Sequence, residues 1–295
     1  MVNISNLKTE VRNEKTMNLD LLSVKEIIEI MNDEDINVIE TIKKSLPEIE
    51  KLINTTIEVI ADGGRIIYIG AGTSGRMGLM DAVECRPTFN CDDEFIGLIA
   101  GGEKAFIRAA EGAEDSKEMA VADLKNINLS SKDIVIGIAA SGRTPYVIGG
   151  LEYAREVGAK TGSVCCNYGT EISKYSQNPV EVNAGSEVLT GSTRLKAGTC
   201  QKIILNMIST ATMIKSGKVY GNLMVDVQAT NEKLVERCKR IVMEATGVNR
   251  ETASEALSKC DNNCKVAIVM ILLGIDEKEA TKKLEVSKGF IRKVI

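Results

Sequence analysis

Histidine and tryptophan are both absent from this 295-residue sequence, and aromatic residues make up only 3% of it. Without histidine there is no Ser-His-Asp or Cys-His nucleophile system, and the commonest ligand of catalytic zinc is missing. Proton transfer near neutral pH then falls to Glu, Asp, Lys, Tyr or Cys. An excess of one charge is lacking too: 37 basic against 41 acidic residues leave a net charge of −4. Such a surface has no basic field to gather nucleic acid or anionic lipid, so neither is expected as a partner. Any bound phosphate must be held by local geometry. No apolar run approaches the ~20 residues of a membrane span, and the polar first residues carry no signal-peptide core, so a cytoplasmic protein is expected. None of the eight cysteines forms a Cys-x-x-Cys pair, and reduced, mostly buried thiols are expected.

What is present reads as an α/β protein. Hydrophobic residues at 44% and charged residues at 26% suit one large domain with a smaller appendage. From Leu22 to about Ile60 apolar residues recur at three- and four-residue spacing, through Ile27, Ile28, Met31, Ile36, Ile39 and Ile42. Asn32-Asp33-Glu34-Asp35 reads as an N-cap cluster opening a second helix, Pro47 opens or kinks a third, and Asp62-Gly63-Gly64 stops it. A strand–loop–helix unit then occurs twice. Arg65–Gly70 is a β-rich run followed by Ala71-Gly72-Thr73-Ser74-Gly75 and a helix through Met77 and Met80; Asp133–Ala139 is followed by Ala140-Ser141-Gly142-Arg143-Thr144 and a helix opened by Pro145.

Further strands are expected at 95–100, 161–166 and 180–182, and a long apolar helix at about 193–215. Runs without polar alternation predict strands covered on both faces, hence a doubly wound parallel sheet in a three-layer sandwich. Short helical patterns past Asn231 predict a small helical C-terminal domain. The expected organisation is an N-terminal helical segment at 1–61, the α/β domain at 62–230 and the helical domain at 231–295.

The two loops point to phosphate. Gly70-Ala71-Gly72-Thr73-Ser74-Gly75 formally matches the dinucleotide fingerprint, but the acidic residue that should end the next strand is replaced by Ala100-Gly101-Gly102. Neither loop carries the Walker lysine. Thr73 and Ser74 in one loop, and Ser141, Gly142 and Thr144 in the other, instead form a neutral cradle of hydroxyls and backbone N–H groups suited to a sugar monophosphate. Helix capping is the competing role for such hydroxyls.

This arrangement resembles the sugar isomerase (SIS) domain. Longer strings are more specific: IGAGTSGRMGLMDAVECRPTF from Ile69, GLIAGGEKA from Gly97, EGAEDS from Glu111, GIAASGRTPYVIGGLEYAR from Gly137, TGSTRLKAGTCQKIILNMIST from Thr190 and SGKVYGNLMVDVQATNEKL from Ser216. Together they closely resemble the N-acetylmuramic acid 6-phosphate etherase family over essentially the whole chain.

The resemblance implies a lyase of cell-wall amino sugar recycling that needs neither metal nor redox cofactor. In that chemistry the opened sugar exposes a C1 aldehyde, a base removes the C2 proton, D-lactate leaves from C3, and water adds to give N-acetylglucosamine 6-phosphate. The resemblance assigns Glu84 as the acid that protonates lactate and later activates water, and Glu114 as the C2 base, with Glu111 and Asp115 as flanking decoys. The small and apolar residues around Glu84 predict a site unsuited to a merely solvated charge. Lys196 and Arg143 are further candidates for approaching the substrate or its phosphate. A homodimer is implied as well. An aldose–ketose isomerase and a regulatory phosphosugar binder share the fold and remain the alternatives.

Overall fold

The computed structural model describes residues 7–108, 110, 112–229 and 231–295. Helix α1 (Val24–Lys44) opens on a reciprocal capping box, in which the Glu26 N–H donates to Ser23 Oγ and the Ser23 N–H donates to the Glu26 carboxylate. It runs unbroken through Asn32–Asp35, so the expected second helix start there is corrected. Glu34 shares the buried face of α1 with Val38 and Ile42, at four-residue spacing, and its carboxylate enters an ion pair instead of capping a helix. Helix α2 (Leu46–Ala61) carries Pro47 in its first turn.

The α/β part follows as β1 (Ile66–Gly70), α3 (Gly72–Phe89), β2 (Phe95–Ile99), α4 (Lys104–Ile107), α5 (Lys117–Asn126), β3 (Ile134–Ala139), α6 (Pro145–Val157), β4 (Lys160–Cys165), β5 (Asn178–Glu181) and α7 (Lys196–Lys215). The five strands are parallel, in the order β2-β1-β3-β4-β5. Every residue of β1 and β3 is buried, as their unalternating apolar runs require. Ile67, Ile69 and Val135 pack into a cluster with Leu124 of α5 and Val147 and Leu151 of α6. On the other face α3 comes so close that a Cβ on Gly78 would stand 2.9 Å from both Ile138 Cδ1 and Tyr68 Cβ. A Cβ on Gly162 would stand 2.5 Å from Leu52 Cδ1 of α2. Helices therefore cover both faces, giving the three layers expected.

The remaining elements are β6 (Val219–Tyr220), β7 (Leu223–Met224), α8 (Glu232–Thr246), α9 (Arg250–Ser258), α10 (Cys264–Leu273) and α11 (Glu277–Val286). Two compact units emerge, Met1–Val83 with Glu94–Ser209, and Glu84–Asp93 with Thr210–Ile295. The second has its own core, built on the apolar α10, with Val242, Leu257, Ile268 and Leu284 buried around it. The segment 231–295 is one part of this unit. All eight cysteines are free and buried, and no helix among the described residues is long and apolar enough to cross a membrane.

Candidate active site

The strand order reverses between β1 and β3, the point at which an open parallel sheet leaves a crevice at the carboxyl ends of its strands. Both hydroxyl-bearing loops start there. After β1 the chain turns directly into α3, so Thr73 and Ser74 occupy the first helical turn, where free backbone N–H groups collect. Gly75 is required by this tight return: a Cβ there would stand 2.6 Å from the Gly70 carbonyl oxygen.

After β3, Gly142 takes a φ of +70°, and a Cβ on it would stand 2.4 Å from Thr170 Cβ. The Arg143 N–H donates to Ser141 Oγ at 3.3 Å, and the Arg143 side chain is exposed. Thr144 stands at the N-cap of α6 without a side-chain capping bond. The competing structural role for that hydroxyl is therefore not in use.

Helix α7 returns its N-terminus to the first loop. The Glu187 carboxylate accepts the N–H groups of Lys196 and Ala197 at 2.9 and 3.0 Å, anchoring the helix start. Burial pushes the Glu187 carboxyl above its ordinary range, against the pull of those two N–H groups. Thr73 Cγ2 lies 3.4 Å from where a Cβ on Gly198 would be, and Ser74 Oγ donates to Gln201 Oε1 at 3.0 Å. Gln201 and Glu187 carry no sequence signal of this role, because it depends on where α7 lands.

A cavity of about 330 Å³ opens beside the first loop, lined by Ala71, Gly72, Arg76, Ala100, Ala105, Ala110, Gly112 and Glu114. Among these, Glu114 is the one acid and Arg76 the one base; the other six are Ala or Gly and leave room for a ligand. Glu114 sits in a single 3-10 turn, Ala113–Asp115, entered through Gly112 at a φ of +73°. Arg76 fixes the facing segment by donating from Nε to the Phe106 carbonyl and from Nη2 to the Ala105 carbonyl, each at 2.8 Å. Asp115 is exposed and does not line the cavity, and Glu111 lies outside the described residues.

The other expected residues are placed elsewhere. Thr73 and Ser74 belong to the first loop, and Ser141, Gly142 and Thr144 follow the neighbouring strand, but none of the five lines this cavity. Glu84 lies inside α3, at the start of the stretch that belongs to the second unit, and does not line this cavity. It is exposed, as is Val83 beside it, so among the described residues its small and apolar sequence neighbours do not take it out of solvent as expected.

Lys196 is buried, with Nζ 2.7 Å from Glu34 Oε2, and it lines a different cavity of about 490 Å³ with Asn13, Lys15 and Asn183. Burial pushes the Glu34 carboxyl up, but hydrogen bonds from Lys15, Lys196 and Asn13 outweigh it and hold the group at about 2. A larger surface concavity of about 700 Å³, lined by Glu279, Lys282, Lys283, Ser287 and Lys293 among others, belongs to the second unit and involves neither hydroxyl loop. Among the described residues, no three Cys, Asp or Glu side chains are grouped to hold a metal ion.

Comparison with known proteins identifies the family and the fold. Family models for the glucokinase regulatory protein N-terminal SIS domain and for the SIS domain match residues 48–155 and 115–211. The N-acetylmuramic acid 6-phosphate etherase of Bacillus cereus (strain G9842) is 61% identical over 293 residues, covering 99% of this chain and 100% of that protein. The chain belongs to the N-acetylmuramic acid 6-phosphate etherase family. The etherase of Bacillus thuringiensis subsp. konkukian (strain 97-27) is also 61% identical over the same coverage.

Solved structures similar to this etherase-family chain include a phosphoheptose isomerase from Francisella tularensis, with a TM-score of 0.52 at 15% identity, covering 65% of this chain and 100% of that one. A phosphoheptose isomerase from Neisseria gonorrhoeae gives a TM-score of 0.51 at 14% identity, covering 64% and 98%. At such identities these likenesses establish the SIS fold alone.

Proposed function

We propose that this chain cleaves the lactyl ether of N-acetylmuramic acid 6-phosphate by eliminating D-lactate and adding water, with Glu114 as the base and Glu84 as the acid. The observation that supports the mechanism is the cavity that Ala71 and Gly72, at the start of the first loop, line together with Glu114. The phosphate rests on Thr73, Ser74 and the N–H groups opening α3, with Ser141, Gly142 and Thr144 supplying donors from the adjoining strand end. Glu114 takes the C2 proton made acidic by the C1 aldehyde. The C3–O bond breaks, and the departing lactyl oxygen takes its proton from Glu84. Glu84 then takes a proton from water as its hydroxide adds to C3, and Glu114 returns its proton to C2, which resets both carboxyl groups and gives N-acetylglucosamine 6-phosphate. Every step is proton transfer and elimination or addition, within reach of two carboxyl groups.

The position of Glu84 along α3 bears on how the two glutamates meet. An acid must come within hydrogen-bond reach of the atom it protonates, and Glu84 is not among the residues that line the cavity. A homodimer resolves this, with Glu84 of a second copy completing each cavity. Exposed apolar side chains near both acids support such a cover: Met80 (40% exposed) and Val83 (60%) near Glu84, and Phe106 (44%) and Ile107 (84%) on the segment before Glu114. Arg143 is given no role here, and Lys196 is kept for structure.

The test is the pair Glu84→Gln and Glu114→Gln, assayed for D-lactate release and for solvent deuterium uptake at C2. Glu114→Gln should lose both, and Glu84→Gln should lose lactate release while keeping some exchange. The opposite pattern overturns the roles.

A further inference from the structure

The hydroxyl of Ser74 in the first loop points its proton away from any phosphate bound there. A serine hydroxyl has a single proton to donate, and Ser74 gives it to Gln201 Oε1 at 3.0 Å. A phosphate dianion only accepts, so in this state Ser74 would meet it with lone pairs. Gln201 is 1% exposed, and its Nε2 is buried without a hydrogen-bond partner. The buried amide therefore holds idle donors beside a hydroxyl that has spent its one proton.

We infer that Gln201 is a positioning residue for the phosphate: on binding, its amide turns over, Nε2 donates to Ser74 Oγ, and the Ser74 proton is released toward the phosphate. The proposal rests on the reading that the first loop holds phosphate. The two ends of the amide have the same shape, so the turn needs no repacking around the helix. It keeps a hydrogen bond within the pair, with donor and acceptor exchanged, and adds a charge-assisted one from Ser74 to the phosphate. The neighbouring geometry holds the pair in register: Glu187 anchors the two N–H groups that open α7, and Gly198 admits Thr73 at ordinary contact distance. Gln201 therefore acts through Ser74 and touches no reacting carbon.

The experiment compares Ser74→Ala, Gln201→Met, Gln201→Glu and the double variant Ser74→Ala/Gln201→Met in the full chain. KM and kcat for N-acetylmuramic acid 6-phosphate are measured, with inorganic phosphate as a competitive inhibitor. Gln201→Glu should be the most damaging, since an ionised carboxylate keeps the Ser74 proton and cannot donate. KM should rise about 10- to 100-fold with kcat largely kept, the range expected for losing one charge-assisted hydrogen bond. Gln201→Met, apolar and of similar shape, should raise KM by about 3- to 10-fold. The phosphate inhibition constant should follow KM in each.

In Gln201→Glu the ratio of variant to wild-type KM should fall toward acid pH, as the introduced carboxyl gains a proton to give Ser74. A purely structural role has no reason to show that trend. In the Ser74→Ala background, Gln201→Met should add nothing. If Ser74→Ala raises KM while the Gln201 changes leave it alone, or add independently, Gln201 does not position the serine and the phosphate loop survives. If Ser74→Ala itself leaves KM and phosphate inhibition unchanged, the first loop does not hold phosphate and both readings fall.

Discussion

Lys196→Met separates a structural lysine from a substrate-binding one. Lys196 Nζ and Glu34 Oε2 are 2.7 Å apart, with side chains only 2% and 5% exposed. Removing the ammonium leaves a buried carboxylate served by Asn13 and by Lys15, whose side chain is 69% exposed. Breaking a buried pair costs about 3–5 kcal/mol, and the surviving Lys15 contact argues for the lower end, about 3 kcal/mol. At about 2–4 °C per kcal/mol for a unit of this size, the midpoint should fall by roughly 6–12 °C. The double change Glu34→Gln/Lys196→Met should recover much of that loss, because no unpaired charge is left behind.

Thermal unfolding followed by circular dichroism measures the shift, and steady-state kinetics should show KM close to wild type. A KM raised tens of fold with an unchanged midpoint would refute the reasoning and return Lys196 to the substrate. The pH dependence gives a second reading. Glu34 is held at about 2 against an ordinary 4.5, so its stabilisation is fully present above pH 4.5 and is lost as pH falls toward 2. The linked contribution is about 3 kcal/mol, and Lys196→Met should shrink that acid-side loss.

Gly97→Ala should destabilise the first unit by about 1–3 kcal/mol, since a Cβ there would stand 2.4 Å from the Leu79 Cα, which is backbone and cannot step aside; an unchanged melting midpoint would contradict this packing of α3 on β2. Arg76→Lys replaces a two-pronged clamp on the Ala105 and Phe106 carbonyls with a single point charge. Hydrogen exchange should quicken across 101–115 and kcat should drop by about tenfold, while the global midpoint holds. Unchanged exchange would show that the clamp does not order the segment carrying Glu114.

The strands were legible because Ile66–Gly70 and Ile134–Ala139 are apolar without alternation, which only a doubly covered sheet accommodates. Asn32–Asp35 misleads, because an acidic cluster there looks like a cap. Glu34 is acidic for a tertiary reason: its partner Lys196 is 162 residues away. The Ser23/Glu26 box was the true local signal for that helix. The hairpin of β6 and β7 is two residues per strand, too short for any periodicity to register. The hydroxyl loops stand out in the sequence because they follow buried strands directly. Arg76, Gln201 and Glu187 could not, since each takes its role from a segment brought back by the fold. Glu84 was read as screened from its apolar neighbours in sequence, yet Val83 and Glu84 both face outward in the single chain.

The central claim, that one site needs the carboxyl groups of both Glu84 and Glu114, is tested most directly by mixing two inactive variants. Glu84→Gln and Glu114→Gln proteins are unfolded together in equal amounts, refolded, and assayed for D-lactate release. If a two-fold dimer builds each site from two copies, half the dimers are hybrids with one intact site, and about a quarter of wild-type activity should return. Full-strength activity in either variant alone, or a mixture that forms hybrid dimers yet releases no lactate, would contradict the account.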